Sequence, residues 1–362
     1  MSAPSPGLDI LAAYGLESAE VTPAPGGHIN LSWMVAPGRY LLQRINPRVF
    51  PNGSLVLENV ANVTGHLARA ARRLGLADPE RRVLRLVRTR DGRAGVQDDD
   101  GVCWRLLHYI EGARSFEQVT SGALAEQAGK AFGLFQRLLA DYDGPPLGEA
   151  IPGFHDTRRR LERLESVSHH DMAGRAGSVP NELRFVARRE EYAEVLPPLV
   201  ASGALPRRVV HNDAKVANVL FDRQTGEALA VVDLDTVMPG TLLSDVGDLL
   251  RSAGSTAAED ERDLSRVVLS PGHIERLLAG FLSEAGEILT ASERELLIFA
   301  GILLTFEQGV RFLSDYLQGD VYYRTTRPHH NLERAQAQFR LVECFEAERR
   351  ALEQWVSDFR GA

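Results

Sequence analysis

The sequence has few cysteines and no excess of positive charge. Its two cysteines, Cys103 and Cys344, are far apart, which predicts neither a disulfide framework nor a metal cluster. Lys and Arg number 41 against 49 Asp and Glu, so the formal net charge is −8. Because phosphate backbones select basic surfaces, this balance disfavours nucleic acid as the main partner.

Long apolar runs are also missing. No stretch shows the ~20 consecutive apolar residues that a membrane-spanning helix needs. The N-terminal stretch MSAPSPGLDILAAYGL has no basic start followed by a long apolar run, so it does not predict a secretory signal. With 44% hydrophobic and 25% charged residues, the composition is typical of soluble globular proteins. We therefore expect a cytoplasmic protein with no membrane partner.

The pattern of the 362 residues changes about a third of the way along the chain. Before residue 110, polar and apolar residues alternate around a turn at Pro37–Gly38, and one prominent helix is predicted at 55–74. Helical patterns dominate afterwards, with short strands only at 208–211, 218–222 and 229–233. The sequence predicts an α+β chain with a strand-rich lobe at 1–110 and a larger, mostly helical lobe at 111–362.

Two polar clusters stand at the ends of neighbouring predicted strands. The first lies in HNDAKVAN and contains Asp213, Lys215 and Asn218, and the second contains Asp233 and Asp235. The polar turn RQTGE separates the two strands, so we expect a hairpin that brings Asn218 near Asp233. One carboxylate and one amide oxygen held together suit a hard cation such as Mg²⁺.

These groups are the ones that phosphoryl transfer requires. An aspartate orients the attacking hydroxyl, and an Asn and another Asp hold the metal on the phosphates. Asp213 would then be the catalytic base, and Lys215 could reach the transferring phosphoryl as a point charge. The alternative is an ordinary hairpin with polar turn residues. We interpret His211 as a packed residue that orients the loop, because this chemistry relies on positioning and needs no histidine acid.

The pattern H-x-D-x-K-x-x-N followed by D-x-D resembles the catalytic and metal-binding loops of the aminoglycoside phosphotransferase and choline kinase superfamily. The chain is more narrowly similar to the N-acetylhexosamine 1-kinase branch, and DLDTVMPG is the most specific part of that similarity. The similar segments are LLQRINPRVF (41–50), HNDAKVANVLFD (211–222), VVDLDTVMPGTLLSDVGDLLR (231–251) and FEQGVRFLSDYLQGDVYY (306–323). The resemblance implies a protein-kinase-like bilobal fold, with a small antiparallel sheet in the first lobe, and ATP and Mg²⁺ as cofactors.

The resemblance also implies roles for residues of the first lobe. The segment GGHIN, with Gly27 and His28, stands where a phosphate-covering loop would be. The segment LHYIEG, with Tyr109 and Ile110, resembles the hinge that binds adenine through its backbone. The strand lysine of protein kinases is missing, and either Gln43 or Arg44 occupies its region. We favour Arg44, with Glu58 as its partner, because only arginine brings positive charge to the phosphates.

In the second lobe the resemblance places three residues near the substrate. Asp235 would support the metal or the sugar, while Arg311 and Tyr322 match positions that line the sugar pocket. A surface salt bridge would equally explain Arg311, and core packing would explain Tyr322. Asp245, at a predicted helix start, resembles the residue that braces the catalytic loop.

The sequence therefore predicts an ATP-dependent kinase for the anomeric hydroxyl of an N-acetylhexosamine or related sugar. The same fold could instead serve another small hydroxylated substrate, such as an amino alcohol, an aminoglycoside or a different sugar. A metal-dependent glycosyltransferase is a further alternative, since D-x-D also clamps nucleotide sugars, but the H-x-D-x-K-x-x-N loop has no role there. The presence of all three residues Asp213, Asn218 and Asp233 argues against the remaining alternative, an inert nucleotide-binding scaffold.

Overall fold

The computed structural model describes residues 6–24 and 29–359. In these ranges the helices are α1 (Leu8–Ala12), α2 (Gly53–Arg73), α3 (Pro79–Arg82), α4 (Gly122–Leu139), α5 (Thr157–His170), α6 (Pro180–Ala187), α7 (Leu196–Ala201), α8 (Leu242–Gly254), α9 (Pro271–Ala285), α10 (Ala291–Glu295), α11 (Leu297–Leu317) and α12 (His330–Asp358). The strands are β1 (Val21–Pro23), β2 (Leu31–Val35), β3 (Tyr40–Arg44), β4 (Leu86–Val87), β5 (Val96–Gln97), β6 (Cys103–His108), β7 (Ala113–Arg114), β8 (Arg208–Val210), β9 (Val219–Asp222), β10 (Ala228–Val231) and β11 (Met238–Gly240).

The chain divides into two compact units, and both are discontinuous in sequence. The first unit comprises Met1–Ser115, Phe135–Pro152 and Asn218–Pro239. The second comprises Phe116–Leu134, Gly153–Ala217 and Gly240–Ala362. The sequence, in contrast, predicts two continuous ranges, 1–110 and 111–362.

An antiparallel sheet forms the centre of the first unit. Its strand order is β1-β2-β3-β6-β4, and β5 also pairs with β6. Strands β2 and β3 form the hairpin predicted around Pro37–Gly38, and α2 is the predicted prominent helix. In the register, Gln43 lies opposite Ser32 on one side and Arg105 on the other. This register determines which side chains share a face of the sheet.

The two faces of this sheet differ in polarity. Leu42 and Trp104 belong to a buried apolar cluster with α1, and the rings of Trp33 and Trp104 stack 5.2 Å apart. Because side chains alternate along a strand, Gln43 and Arg105 point to the opposite face. Polar groups at the middle of a sheet are therefore held on the face away from α1.

A second antiparallel sheet, ordered β10-β9-β7, completes the first unit. Strands β9 and β10 form the hairpin that the sequence predicts, with Val219 opposite Val231. The N–H of Val232 also donates to the carbonyl of Asn218 over 2.9 Å. The hairpin therefore brings the backbone of Asn218 beside the residue that precedes Asp233.

Helices make up most of the second unit. Helix α11 is its central element, packs against α8 and α12, and has nearly every residue buried. A Cβ atom at Gly247 of α8 would collide with the carbonyl of Ala300, so glycine is required for the close approach of α8 to α11. Among the described residues, α11 alone is long and apolar enough to cross a membrane, but most of it is buried, as expected for a core helix.

Candidate active site

The loop that follows β8 in the second unit is held by an aspartate of the neighbouring helix. Asp245, in the first turn of α8, accepts the backbone N–H of His211 over 2.9 Å and that of Asn212 over 2.7 Å. All three residues are buried. The predicted brace by Asp245 is therefore confirmed, and it fixes the backbone immediately before Asp213.

His211 is part of this support. It is fully buried, its ring meets Phe132 edge to face at 5.5 Å, and its Nδ1 accepts the backbone N–H of Asp213 over 3.2 Å. Because an imidazole nitrogen that accepts carries no proton, Nδ1 cannot act as an acid in this arrangement. The structure thus supports the interpretation of His211 as a residue that orients the loop.

Asp213 and Lys215 form an ion pair at the end of this loop. The Nζ atom of Lys215 lies 2.9 Å from Oδ2 of Asp213, and both side chains are partly exposed. The backbone N–H of Lys215 also donates to the carbonyl of Asp213 over 3.0 Å. The predicted base and the predicted point charge therefore lie together in the second unit.

Arg311 lies on α11 between aromatic rings. Its guanidinium carbon is 5.0 Å from the ring centre of Phe154 and 5.8 Å from that of Tyr323, and it donates to Gln308 over 3.0 Å. Burial alone would lower the pKa of Arg311, but Tyr323, Glu307, Tyr322 and Asp213 together raise it. Arg311 is thus a cation held against two aromatic rings, and it is not a surface salt-bridge residue.

Tyr322 is not a core residue. It is 56% exposed, and its ring packs against that of Tyr323 at 4.8 Å. The backbone N–H groups of both tyrosines donate to the buried carboxylate of Asp315, over 2.8 and 2.9 Å. Burial raises the pKa of Tyr323. Tyr323, which was not singled out from the sequence, packs against both Tyr322 and Arg311.

The two predicted metal ligands belong to the first unit. Asn218 is buried, and Asp233 is partly buried with a left-handed backbone at φ 63°. In the part of the chain that the structure describes, no group of three or more His, Cys, Asp or Glu could hold a metal. Asn218 and Asp233 each offer an oxygen ligand of the kind that Mg²⁺ takes alongside water and phosphates.

Asp235 is the centre of a buried polar cluster in the first unit. It forms an ion pair with Arg105, and its Oδ2 accepts from the side chain of Asn30 over 2.5 Å. Arg105, which is 1% exposed, also donates to Oε1 of Gln43 through Nε and one terminal nitrogen, over 2.9 and 2.7 Å. Both oxygens of Asp235 are thus engaged inside the unit, and the residue is 4% exposed, beside the turn that carries Asp233.

The predicted pair of Arg44 and Glu58 is wrong. Arg44 lies on the α1 face of the sheet, where its Nε is 3.5 Å from Asp98 and its guanidinium is 6.0 Å from the ring centre of Trp104. Glu58 is exposed, whereas Asn59 beside it is buried and donates to backbone carbonyls. The cause is strand alternation, which puts Gln43 and Arg44 on opposite faces of the sheet.

The predicted hinge follows β6. Tyr109 is 41% exposed, and its N–H donates to the carbonyl of Arg39 over 2.9 Å, so this amide is already used. Ile110 is buried in a small apolar cluster with Ala113. The predicted phosphate-covering residues, Gly27 and His28, lie outside the described residues.

Arg105 and His155 make contacts that were not predicted from the sequence. Arg105 had a usable signal, because a single charged residue interrupts the apolar run VCWRLLHYI. A charge in a central strand needs a buried partner, and Asp235 supplies it. His155 had no comparable signal, because it contacts a residue 57 positions away.

Comparisons with known proteins agree with this description. The family model described as the phosphotransferase enzyme family matches residues 20–277. The fold is similar to an aminoglycoside phosphotransferase from Alicyclobacillus acidocaldarius, with 15% identity, a TM-score of 0.59 and coverage of 99% of this chain and 98% of that one. It is also similar to choline kinase from Cryptosporidium parvum, with 11% identity, a TM-score of 0.58 and coverage of 97% and 99%.

A third similar structure is a spectinomycin phosphotransferase in complex with ADP and spectinomycin. It shares 13% identity and a TM-score of 0.55, and coverage is 93% of this chain and 96% of that one. At these identities the likeness shows the fold, and it confirms the predicted kinase-like α+β class with a small antiparallel sheet and a helical lobe. The family model covers well over half of the chain. This chain therefore belongs to the phosphotransferase enzyme family that includes the aminoglycoside phosphotransferases.

Proposed function

We propose that this chain is an ATP- and Mg²⁺-dependent kinase for the anomeric hydroxyl of an N-acetylhexosamine or a related sugar. The observation that carries the proposal is the position of Arg311, whose guanidinium packs against the rings of Phe154 and Tyr323 in the same unit as Asp213. A fixed guanidinium can donate to sugar hydroxyls or to an acetamide carbonyl, and an aromatic ring can cover the apolar face of a sugar.

The roles of the other residues follow from the chemistry. Asp213 orients the sugar hydroxyl and takes its proton. An anomeric hydroxyl is more acidic than an ordinary alcohol and the transition state is loose, so orientation contributes more than base strength. Lys215 stabilises the transferring phosphoryl. Asn218 and Asp233 hold Mg²⁺, which, when bound, neutralises charge on the phosphates.

The first unit supplies the proposed nucleotide site, and a similar phosphotransferase structure contains ADP. The backbone around Tyr109 and Ile110 would contact adenine, and Gly27 and His28 would cover the phosphates. The N–H of Tyr109 is bound to Arg39, so the proposed contact uses other backbone groups of this segment. We place the activity in the cytoplasm, with a small sugar and ATP as its partners.

A kinase for an amino alcohol or an aminoglycoside is the second candidate, because choline kinase and an aminoglycoside phosphotransferase share the fold. The two arginines at the ring of Phe154 favour a neutral acceptor. Arg160 and Arg311 both have their guanidinium groups over the ring of Phe154, at 6.0 and 5.0 Å from its centre. Two cations at this ring would repel the ammonium group of an aminated substrate.

An ADP-release screen over free sugars, choline and aminoglycosides tests the proposal. We expect ADP release with an N-acetylhexosamine, and phosphorus NMR of the product should place the phosphate on C1. Release with ammonium-bearing acceptors alone would support the second candidate. If a sugar is phosphorylated at another hydroxyl, the proposed substrate class is correct and the proposed anomeric position is wrong.

A further inference from the structure

His155 lies immediately before α5, where no part of the proposed mechanism uses it. Its Nδ1 lies 2.9 Å from Oε1 of Glu307, and its Nε2 lies 2.8 Å from the carbonyl oxygen of Asn212. The second oxygen of Glu307 accepts the hydroxyl of Thr157 over 2.8 Å. Glu307 is 1% exposed. A buried carboxylate therefore meets a histidine that also contacts the catalytic loop.

The two partners of His155 determine its protonation. A carboxylate and a backbone carbonyl can only accept hydrogen bonds, so each ring nitrogen of His155 must donate. Only the imidazolium form has two N–H groups. A positive His155 also supplies the counter-charge that buried Glu307 requires.

The surrounding charges agree with this form. Burial alone would lower the pKa of His155, but the carboxylate of Glu307 and the carbonyl of Asn212 raise it above its ordinary value, with a small opposing effect of Arg311. The pKa of Glu307 is lowered, since His155 and Arg311 outweigh its burial. Arg160, on α5, also interacts with Glu307, and Asp213 is a second anion, after Glu307, that interacts with Arg311.

The peptide bond between Asn212 and Asp213 is consequently held at both ends. His155 donates to its carbonyl oxygen, and Nδ1 of His211 accepts its N–H. Asn212 has a left-handed backbone with φ 64°, a conformation that asparagine adopts more readily than most residues other than glycine. His155 donates a hydrogen bond to this peptide group and His211 accepts one from it, so the two histidines together fix the orientation of the peptide plane that precedes the side chain of Asp213.

We propose that His155, held as an imidazolium by Glu307, is a positioning residue that aims Asp213 at the acceptor hydroxyl. The inference rests on the proposed role of Asp213 in phosphoryl transfer. Glu307, which holds His155, lies on α11, the helix that also carries Arg311. The active form is the protonated one, so turnover is retained below the pKa of His155 and falls as pH rises through it.

The test compares Glu307→Gln and His155→Gln with the wild type. Glu307→Gln removes the charge that raises the pKa of His155, so the alkaline fall in kcat should begin at a lower pH. Glutamine at position 155 cannot titrate, so the kcat of His155→Gln should show no alkaline fall that depends on residue 155. Its kcat should be lowered by about 10- to 100-fold, with little change in KM for ATP. Glu165→Gln and His169→Gln, two exposed positions of α5, are the matched controls.

Three outcomes would overturn the inference. The first is a kcat profile of Glu307→Gln that follows the wild type at every pH. The second is a loss of activity in His155→Gln that only tracks a loss of folded protein in thermal unfolding. The third comes from NMR of the wild type with nitrogen-15-labelled histidine. The resonance missing from His155→Gln should report two protonated ring nitrogens at neutral pH, and one unprotonated nitrogen would contradict the imidazolium.

The NMR measurement needs no acceptor, and this separates the two proposals. If no sugar is phosphorylated but the NMR shows the imidazolium, the proposed substrate is wrong, and the pH comparison is repeated with the acceptor that the screen identifies. If a sugar is phosphorylated but the ring of His155 is neutral, the proposed function stands and the positioning role of His155 is rejected.

Discussion

The ammonium group of Lys215 lies 2.9 Å from Oδ2 of Asp213, and both side chains are partly exposed. Exposed ion pairs contribute little to stability, about 0–1 kcal/mol, so this contact does not hold the loop in place. The backbone contacts of Asp245 with the residues before Asp213 do so. Lys215 can therefore move to a transferring phosphoryl while the loop keeps Asp213 in position.

Asp213→Asn should lower kcat by about 10²–10⁴-fold, because a positioned base contributes on that scale. ATP–Mg²⁺ should still bind, since the amide keeps the size of the side chain. Steady-state kinetics and calorimetry measure the two effects. Asp99→Asn, in an exposed turn, is the control and should behave as the wild type. Near-normal turnover of Asp213→Asn would remove this residue from catalysis.

Lys215→Ala should separate stability from turnover. The free energy of unfolding should fall by less than about 1 kcal/mol, because the lost pair is partly exposed. The kcat should fall by about 10²–10³-fold, the usual effect of removing one group that stabilises charge in a transition state. Urea unfolding and ADP release measure these quantities. A large loss of stability with unchanged kcat would show that Lys215 is a structural residue.

Asp233→Asn should weaken nucleotide binding only when Mg²⁺ is present. We expect the affinity for ATP–Mg²⁺ to fall by at least about tenfold, comparable to the effect of disturbing a metal site. Affinity for ATP in excess chelator should not change. Glu227→Gln, an exposed position in the same hairpin, controls for effects on the fold. Unchanged ATP–Mg²⁺ affinity in calorimetry would reject the assignment of Asp233.

The hairpin that carries Asp233 could be predicted from the sequence, and the surroundings of Arg44 could not. A polar turn between two apolar runs specifies the β9–β10 pairing locally, so the approach of Asn218 to Asp233 follows from adjacent residues. The face of the sheet that Arg44 occupies depends on the register of β3, and a shift of one residue reverses it. His155 presents a third case, because its contact with Asn212 depends on tertiary packing alone.

The pair of Arg105 and Asp235 should be important for folding. Arg105→Met leaves a buried carboxylate without its counter-ion and should lower the free energy of unfolding by about 3–5 kcal/mol. The double variant Arg105→Met with Asp235→Asn removes both charges and should recover part of that loss. Arg44→Met, which breaks a more exposed pair with Asp98, should cost about 0–1 kcal/mol.

Urea denaturation of the four proteins, including the wild type, gives these free energies. If Arg105→Met is as stable as Arg44→Met, the buried pair does not support the turn that carries Asp233. If the double variant is no more stable than Arg105→Met, the cost comes from lost packing of the long side chain and not from an unpaired charge.

Arg311 should determine affinity for the sugar and not for the nucleotide. Arg311→Ala removes a guanidinium that Phe154 and Tyr323 hold in place. We expect kcat/KM for the sugar to fall by about 10- to 100-fold, a loss of roughly 1.4–2.7 kcal/mol of transition-state stabilisation. KM for ATP should change little, because no proposed nucleotide contact involves Arg311. Each substrate is titrated while its partner is saturating, and Arg340→Ala, a partly exposed position on α12, is the control. An Arg311→Ala enzyme that is impaired only toward ATP, or toward neither substrate, would move the sugar pocket to another part of the second unit.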